Sequence, residues 1–233
     1  MNILQQAQDT IRFVRQRSDE CLVFNSFGKD SLVTLDLVAP YFRRVVCVFM
    51  YFVPGLEHIE RFMQASLCRY SNVEIMQIPH WNLTFIRRNG MYCMANPKQK
   101  LGDLVKSVES AMNATGIDSV FFGMKKADSM NRRLMLNTYE KDHYTATYKN
   151  NPKALWAYPV ATWTHKEVLA YVNQKRLPSP IRYGGKNNNG VGFNEDCFLW
   201  MERNAPKDLE RIYAEFPLSR RILFEYHYKH QEQ

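Results

Sequence analysis

Cys21-Leu-Val-Phe-Asn-Ser-Phe-Gly-Lys-Asp-Ser31 is the stretch on which the fold turns. It begins as an apolar run of strand length, passes through Ser26-Phe27-Gly28-Lys29-Asp30-Ser31, and continues into Leu32-Val-Thr-Leu-Asp-Leu-Val38, whose apolar spacing suits a helix packed on a sheet. The first N–H groups of such a helix lack partners within it, and the helix dipole puts partial positive charge at the same end. An anion is the natural occupant. Gly28 lets the chain approach a ligand closely, Ser26 and Ser31 offer hydroxyl donors, and Lys29 adds a full positive charge. The group expected there is a phosphate.

The usual nucleoside-triphosphatase loop needs Gly, four residues, then Gly-Lys-Ser/Thr. Val23 stands where its first Gly should be and Asp30 follows the lysine, so that pattern is not met. The segment resembles instead the Ser-Gly-Gly-Lys-Asp-Ser pyrophosphate loop (PP-loop) of the adenine-nucleotide alpha-hydrolase superfamily, with Phe27 in place of one glycine. The resemblance implies a loop that holds the pyrophosphate leaving when ATP is cut between its α and β phosphates.

Outward from the loop, strands alternate with helices. An opening helix over 3–17 places Ile3, Ala7, Ile11 and Val14 on one face. Val45 to Phe52 reads as a strand buried on both faces, Leu56 to Tyr70 as a helix, Val73 to Ile78 as a third strand. Residues 80–99 lack clear periodicity and predict a loop or short helices. A helix over 100–116 and a fourth strand from Ile117 to Gly123 follow. Such alternation implies parallel units with right-handed crossovers, whose ligands collect beyond the C-terminal strand ends. The expected fold is therefore an α/β, three-layer open, mostly parallel sheet flanked by helices.

The turn after the fourth strand reads Gly123-Met-Lys125-Lys126-Ala-Asp128-Ser129-Met-Asn-Arg132-Arg133. Cations after a strand end can grip an anionic group, with arginine suited to bidentate phosphate or sulfate contacts. It resembles the Gly-x-Arg-x-x-x-Ser-x-x-Arg element of the PAPS (phosphoadenosine phosphosulfate) reductase-like branch of the superfamily, with Lys125 where arginine is commoner. Trp156 to Tyr171 and Leu177-Pro178 to Gly185 parallel further elements of that branch, so the resemblance spans roughly residues 20–200. Within the first of these, Thr164 followed by Glu167 is a helix-capping pair.

Composition agrees with a globular protein: 233 residues, 45% hydrophobic, 13% aromatic, and no low-complexity tract. No apolar run reaches the length of a membrane span, and the N-terminus has no secretory leader pattern, so a cytoplasmic location without membrane association is expected. The net charge of +8 favours anionic partners without choosing between nucleotides and nucleic acid. Five cysteines, none in a Cys-x-x-Cys pair, give no disulfide or metal framework, and Cys21 and Cys47 read as core.

Reductive relatives carry later cysteine clusters or a nucleophilic cysteine. Here the corresponding stretch holds only Cys197, flanked by Phe198, Leu199 and Trp200, and no iron–sulfur cluster is expected. Cys197 reads either as a small buried residue or as a thiol that attacks sulfur. The second strand ends in Tyr51-Phe52-Val53-Pro54 where many relatives have Asp-Thr-Gly, so no carboxylate role is carried over there. Beyond Cys197, residues 207–216 and 218–229 predict an aromatic-rich helical extension, giving a nucleotide-binding α/β domain at 1–185 and a C-terminal loop and helical extension at 186–233.

The resemblance implies an enzyme that cleaves ATP to AMP and pyrophosphate and adenylates an unknown acceptor. Lys29 and Asp30 are the expected catalytic pair, with Asp30 fixing the loop or helping to hold Mg2+. Ser26, Phe27, Gly28 and Ser31 form the rest of the loop, while Gly123, Lys125, Arg132 and Arg133 meet the α-phosphate or the acceptor. The alternatives are a 3′-phosphoadenylyl sulfate-binding reductase or sulfurtransferase, with Cys197 or a partner's thiol, and a non-catalytic nucleotide-sensing or nucleic-acid-binding subunit acting with a protein partner in a DNA-modification system.

Overall fold

The strand, loop and helix at residues 20–38 form as their pattern predicts, and a six-stranded sheet grows on both sides of that strand. The computed structural model describes residues 2–148, 151–179, 181–184 and 192–231. In chain order the elements are α1 (Ile3–Arg15), β1 (Glu20–Phe24), α2 (Lys29–Val38), β2 (Arg44–Tyr51), α3 (Glu57–Arg69), β3 (Val73–Pro79), α4 (Asn82–Asn89), α5 (Leu104–Thr115) and β4 (Ser119–Phe122). There follow α6 (Met130–Thr138), β5 (Thr145–Tyr148), β6 (Asn151–Ala157), α7 (His165–Gln174), α8 (Glu195–Asn204), α9 (Pro206–Glu215) and α10 (Arg221–Gln231). The fold is thus α/β, with the expected helical C-terminal segment.

The strand order is β3-β2-β1-β4-β6-β5. β1 pairs parallel with both β2 and β4, β4 pairs parallel with β6, and β5 runs antiparallel to β6. From β1 the chain builds outward to β3, then returns to lay β4 on the other side of β1. That reversal is a topological switch point, where strand ends on neighbouring strands leave a crevice. Cys21 to Phe24, Val45 to Val48 and Val120 to Phe122 are all buried, as a sheet covered on both faces requires.

Two compact units divide the chain: Met1–Phe49, Met63–Gln77 and Ser110–Pro180 form the first, and Met50–Phe62, Ile78–Glu109 and Ile181–Gln233 the second. Within the first, Asp36 on α2 accepts from the hydroxyls of Tyr70 (2.5 Å) and Tyr171 (2.8 Å), tying α2 to the end of α3 and to α7. The capping pair at the start of α7 forms fully, Thr164 Oγ1 accepting from Glu167 N and Glu167 accepting from Thr164 N.

The second unit is held by a carboxylate far away in sequence. Asp208 on α9 accepts from Glu57 N at 2.8 Å and His58 N at 2.9 Å, so it caps the start of α3. The same carboxylate meets His58 Nδ1 at 2.5 Å, and His58 Nε2 meets the Tyr183 hydroxyl at 2.9 Å. All three side chains are buried.

The segment at 80–99 contains a short helix, α4, within what its pattern allowed, ended by Gly90 in the left-handed conformation. Other elements depart from the sequence pattern. The cationic turn runs straight into α6, capped by the Ser129 hydroxyl, although Leu136 is its one buried residue among those described. The β5–β6 pair was not foreseen, because β6 begins with exposed Pro152 and Lys153 and turns apolar only at Ala154.

Candidate functional site

The end of β1 is fixed by Asn25, whose N–H donates to Val48 O on β2 at 2.9 Å. Its side-chain Oδ1 accepts from Phe27 N at 2.7 Å, an Asx turn across the start of the loop. Phe27 lies at φ +57°, a conformation that costs an ordinary L-residue about 1–2 kcal/mol. The ring offsets this by burial: Phe27 is 3% exposed and its ring centre lies 5.5 Å from that of Phe49. Asn25 Nδ2 is also buried, has no oxygen or nitrogen acceptor among the described residues, and rests near the thiol of Cys47. Burial pushes that thiol up to about 12, with the Asn25 amide pulling the other way.

Gly28 caps α2 in extended geometry, so the helix proper begins at Lys29. The N–H groups of Lys29, Asp30 and Ser31 are then the first of the helix and have no intrahelical acceptor. Ser31 Oγ donates to Gly28 O at 3.0 Å, and the Ser26 and Ser31 hydroxyls lie 3.4 Å apart. Ser26 is exposed and Lys29 half-buried, with Lys29 Nζ donating to Asp30 Oδ2 at 3.1 Å. Loop amides, hydroxyls and one ammonium together make an anion cradle.

The turn after β4 packs directly on this loop. A Cβ on Gly123 would stand 2.9 Å from the carbonyl carbon and oxygen of Asp30 and 3.0 Å from Ser31 N, so only glycine fits against that backbone. Two residues on, Lys125 is 0% exposed. Its ammonium lies 2.9 Å from Asp30 Oδ1, off the line of a hydrogen bond, so the contact is one of charge; it also pairs with Asp128 Oδ1. Asp128 Oδ2 accepts from Lys125 N at 3.0 Å and from Arg132 at 2.6 Å. Burial alone would raise the Asp128 carboxyl, but these donors outweigh it and hold the group below its ordinary value.

These contacts revise two sequence expectations. Lys125, expected to grip a ligand, is enclosed by carboxylates and ties the two turns together. Asp30, expected to fix the loop or to help hold Mg2+, has one oxygen on Lys29 and the other on Lys125, a geometry that suits the first role, and Asp128 is likewise occupied, so neither carboxylate fits a magnesium site. Arg132 is shared with Asp128 but remains 45% exposed. Arg133 is exposed and, among the described residues, in no ion pair. Lys126 turns away to Glu140 at 3.0 Å and Tyr144 at 3.3 Å.

Cys197 lies in the second unit, 0% exposed, on α8. Burial pushes its thiol up to about 11, against a hydrogen bond from the Gly192 backbone that lowers it. At neutral pH such a thiol is almost wholly protonated, which supports the packing reading. Asn25 and Asp128 are the two site residues that the loop and turn motifs do not single out. An Asn two residues ahead of a left-handed position, and an acid spaced three from Lys125 and four from Arg132, were the local signals for them.

The family model described as phosphoadenosine phosphosulfate reductase domain matches residues 20–181. No curated protein is similar enough to match. Among solved structures, the chain is similar to phosphoadenylyl-sulfate (PAPS) reductase from Candida auris in its phosphate complex, with 13% identity, TM-score 0.51, and 75% of this chain and 81% of that one covered. It is also similar to the U34-tRNA thiolase NcsA from Methanococcus maripaludis with its [4Fe-4S] cluster (16% identity, TM-score 0.47, 91% and 78% covered). NH3-dependent NAD synthetase from Campylobacter jejuni gives 14% identity and TM-score 0.47, with 76% and 75% covered.

Proposed function

Because the chain belongs to the phosphoadenosine phosphosulfate reductase domain family, we propose that it is a PP-loop enzyme that cleaves ATP between the α and β phosphates and transfers AMP to an acceptor. The observation that carries the reading is the meeting of the two turns at the switch point: Gly123 lies against the backbone of Asp30 and Ser31, at the C-terminal ends of adjacent parallel strands.

In this mechanism an acceptor nucleophile attacks the α-phosphorus. The bond to the bridging oxygen breaks, and its electron pair leaves with pyrophosphate. The N–H groups of Lys29, Asp30 and Ser31, the hydroxyls of Ser26 and Ser31, and the Lys29 ammonium receive the developing charge. Arg132 and Arg133, at the start of α6, orient the α-phosphate or the acceptor. Asp30 and Lys125 act indirectly, as positioning residues that keep the two turns in register. Placement and charge supply the catalysis.

Binding of 3′-phosphoadenylyl sulfate instead of ATP uses the same cradle, but sulfur chemistry at Cys197 is poorly supported by its enclosure and its protonated state. Titration with each nucleotide separates the two ligands. The direct test is pyrophosphate release from ATP with a cell extract as acceptor source, alongside radiolabelled AMP transfer. Lys29→Ala should abolish release; unchanged turnover in that variant would remove the assignment.

A further inference from the structure

We infer that Asn25 is the positioning residue of the pyrophosphate loop, supplying by a side-chain hydrogen bond the backbone conformation that a glycine at position 27 would adopt freely. The inference rests on the nucleotide reading above and names what keeps that cradle in shape.

Phe27 sits at φ +57°, where L side chains are disfavoured by contact between Cβ and the carbonyl oxygen. Nothing in its own covalent structure selects this conformation. Two features outside it do. The first is the Asn25 carboxamide, whose Oδ1 lies 2.7 Å from Phe27 N. The second is the seat of the phenyl ring against Phe49.

Asn25 is well placed to impose a direction. It is 2% exposed, and its own N–H is anchored on Val48 O at 2.9 Å, so the side chain projects from a fixed point on the sheet. The peptide that follows Phe27 leads to Gly28 and the first three N–H groups of α2. An error in the Phe27 torsion is therefore passed on to every amide of the cradle. A glycine at 27 needs no such imposition, since it enters the left-handed region without steric cost. Asn25 and Phe27 thus form a coupled pair.

Coupling predicts a result that a purely structural role would not give. Asn25→Leu keeps the γ-branched shape but removes the acceptor, and should weaken binding of inorganic pyrophosphate and of ATP about tenfold in calorimetry. Asn25→Asp keeps the acceptor and should bind more tightly than Asn25→Leu. Adding Phe27→Gly to Asn25→Leu should restore affinity to within about threefold of Phe27→Gly alone, although the double variant has lost more packing. If Leu at 25 prevents folding, Asn25→Ala provides the same comparison.

Wild-type affinity in Asn25→Leu, or a double variant weaker than either single one, would overturn the inference. Amide hydrogen exchange over residues 26–31 decides it without a ligand. Exchange should quicken in Asn25→Leu and slow again in the double variant, and unchanged exchange overturns the inference. A wild-type protein that binds neither pyrophosphate nor ATP, yet shows this exchange pattern, would refute the nucleotide reading and leave the positioning role standing.

Discussion

Replacing Lys125 by Met removes a buried cation while keeping most of its length. Its ammonium sits 2.9 Å from Asp30 and also pairs with Asp128, with the lysine wholly enclosed. One such pair carries a gross attraction of about 6 kcal/mol at an effective dielectric of about 20, most of it offset by the cost of desolvating the charges. The variant is judged by what it leaves behind: two half-buried carboxylates that have lost their shared counter-charge. Breaking a buried pair from one side costs about 3–5 kcal/mol. Asp30 keeps Lys29 and Asp128 keeps Arg132, which points to the lower end, about 3 kcal/mol. At about 2–4 °C per kcal/mol for a chain of this size, melting should fall by about 6–12 °C.

Thermal unfolding monitored by circular dichroism reads this directly, and pH supplies an internal control. The folded Asp128 carboxyl is held below its ordinary 3.8 despite burial, so the stability it contributes is complete above that value and disappears as pH falls through the lower folded one. The gap between wild type and Lys125→Met should therefore narrow below about pH 4. Adding Asp128→Asn to Lys125→Met should recover part of the loss at neutral pH. A variant that melts within a degree of wild type, or a gap indifferent to acid, would refute the assignment of Lys125 as the tie between the turns.

Gly123→Ala should cost about 1–3 kcal/mol, because the new methyl meets backbone atoms of Asp30 and Ser31 that have no rotamer to change; urea unfolding measures it, and an unaffected midpoint would contradict the close packing. His58 is held below its ordinary 6.5 chiefly by burial, against the opposing pull of Asp208. Its contribution to stability is thus full above pH 6.5 and lost as pH falls through the lower folded value. Wild type should lose more melting temperature between neutral pH and mild acid than His58→Gln does, and parallel curves would count against a neutral buried imidazole.

The sheet and the anion loop were readable because their signals are local. An apolar run, a turn residue and a helical spacing stand next to one another at 21–38, and Thr164 announces its helix three residues ahead of Glu167. Lys125 was not readable in the same way. Only contact with Asp30, far off in the chain, turns an apparently solvated cation into a buried one. The same holds for His58, whose partners Asp208 and Tyr183 are 150 and 125 residues distant. β5 was missed for a different reason: as the antiparallel partner at the sheet edge it carries mixed Thr and Tyr in place of a continuous apolar run.

A ribosome makes the first turn of α3 long before it makes the acid that caps it. Glu57 and His58 leave the exit tunnel with amides that only water can satisfy, and they wait until Asp208 has been synthesised. The second unit is therefore completed only after residue 208 has been made, whatever the sheet has done by then. An expression version trimmed at residue 181, where the family match stops, would yield a chain whose α3 starts permanently uncapped.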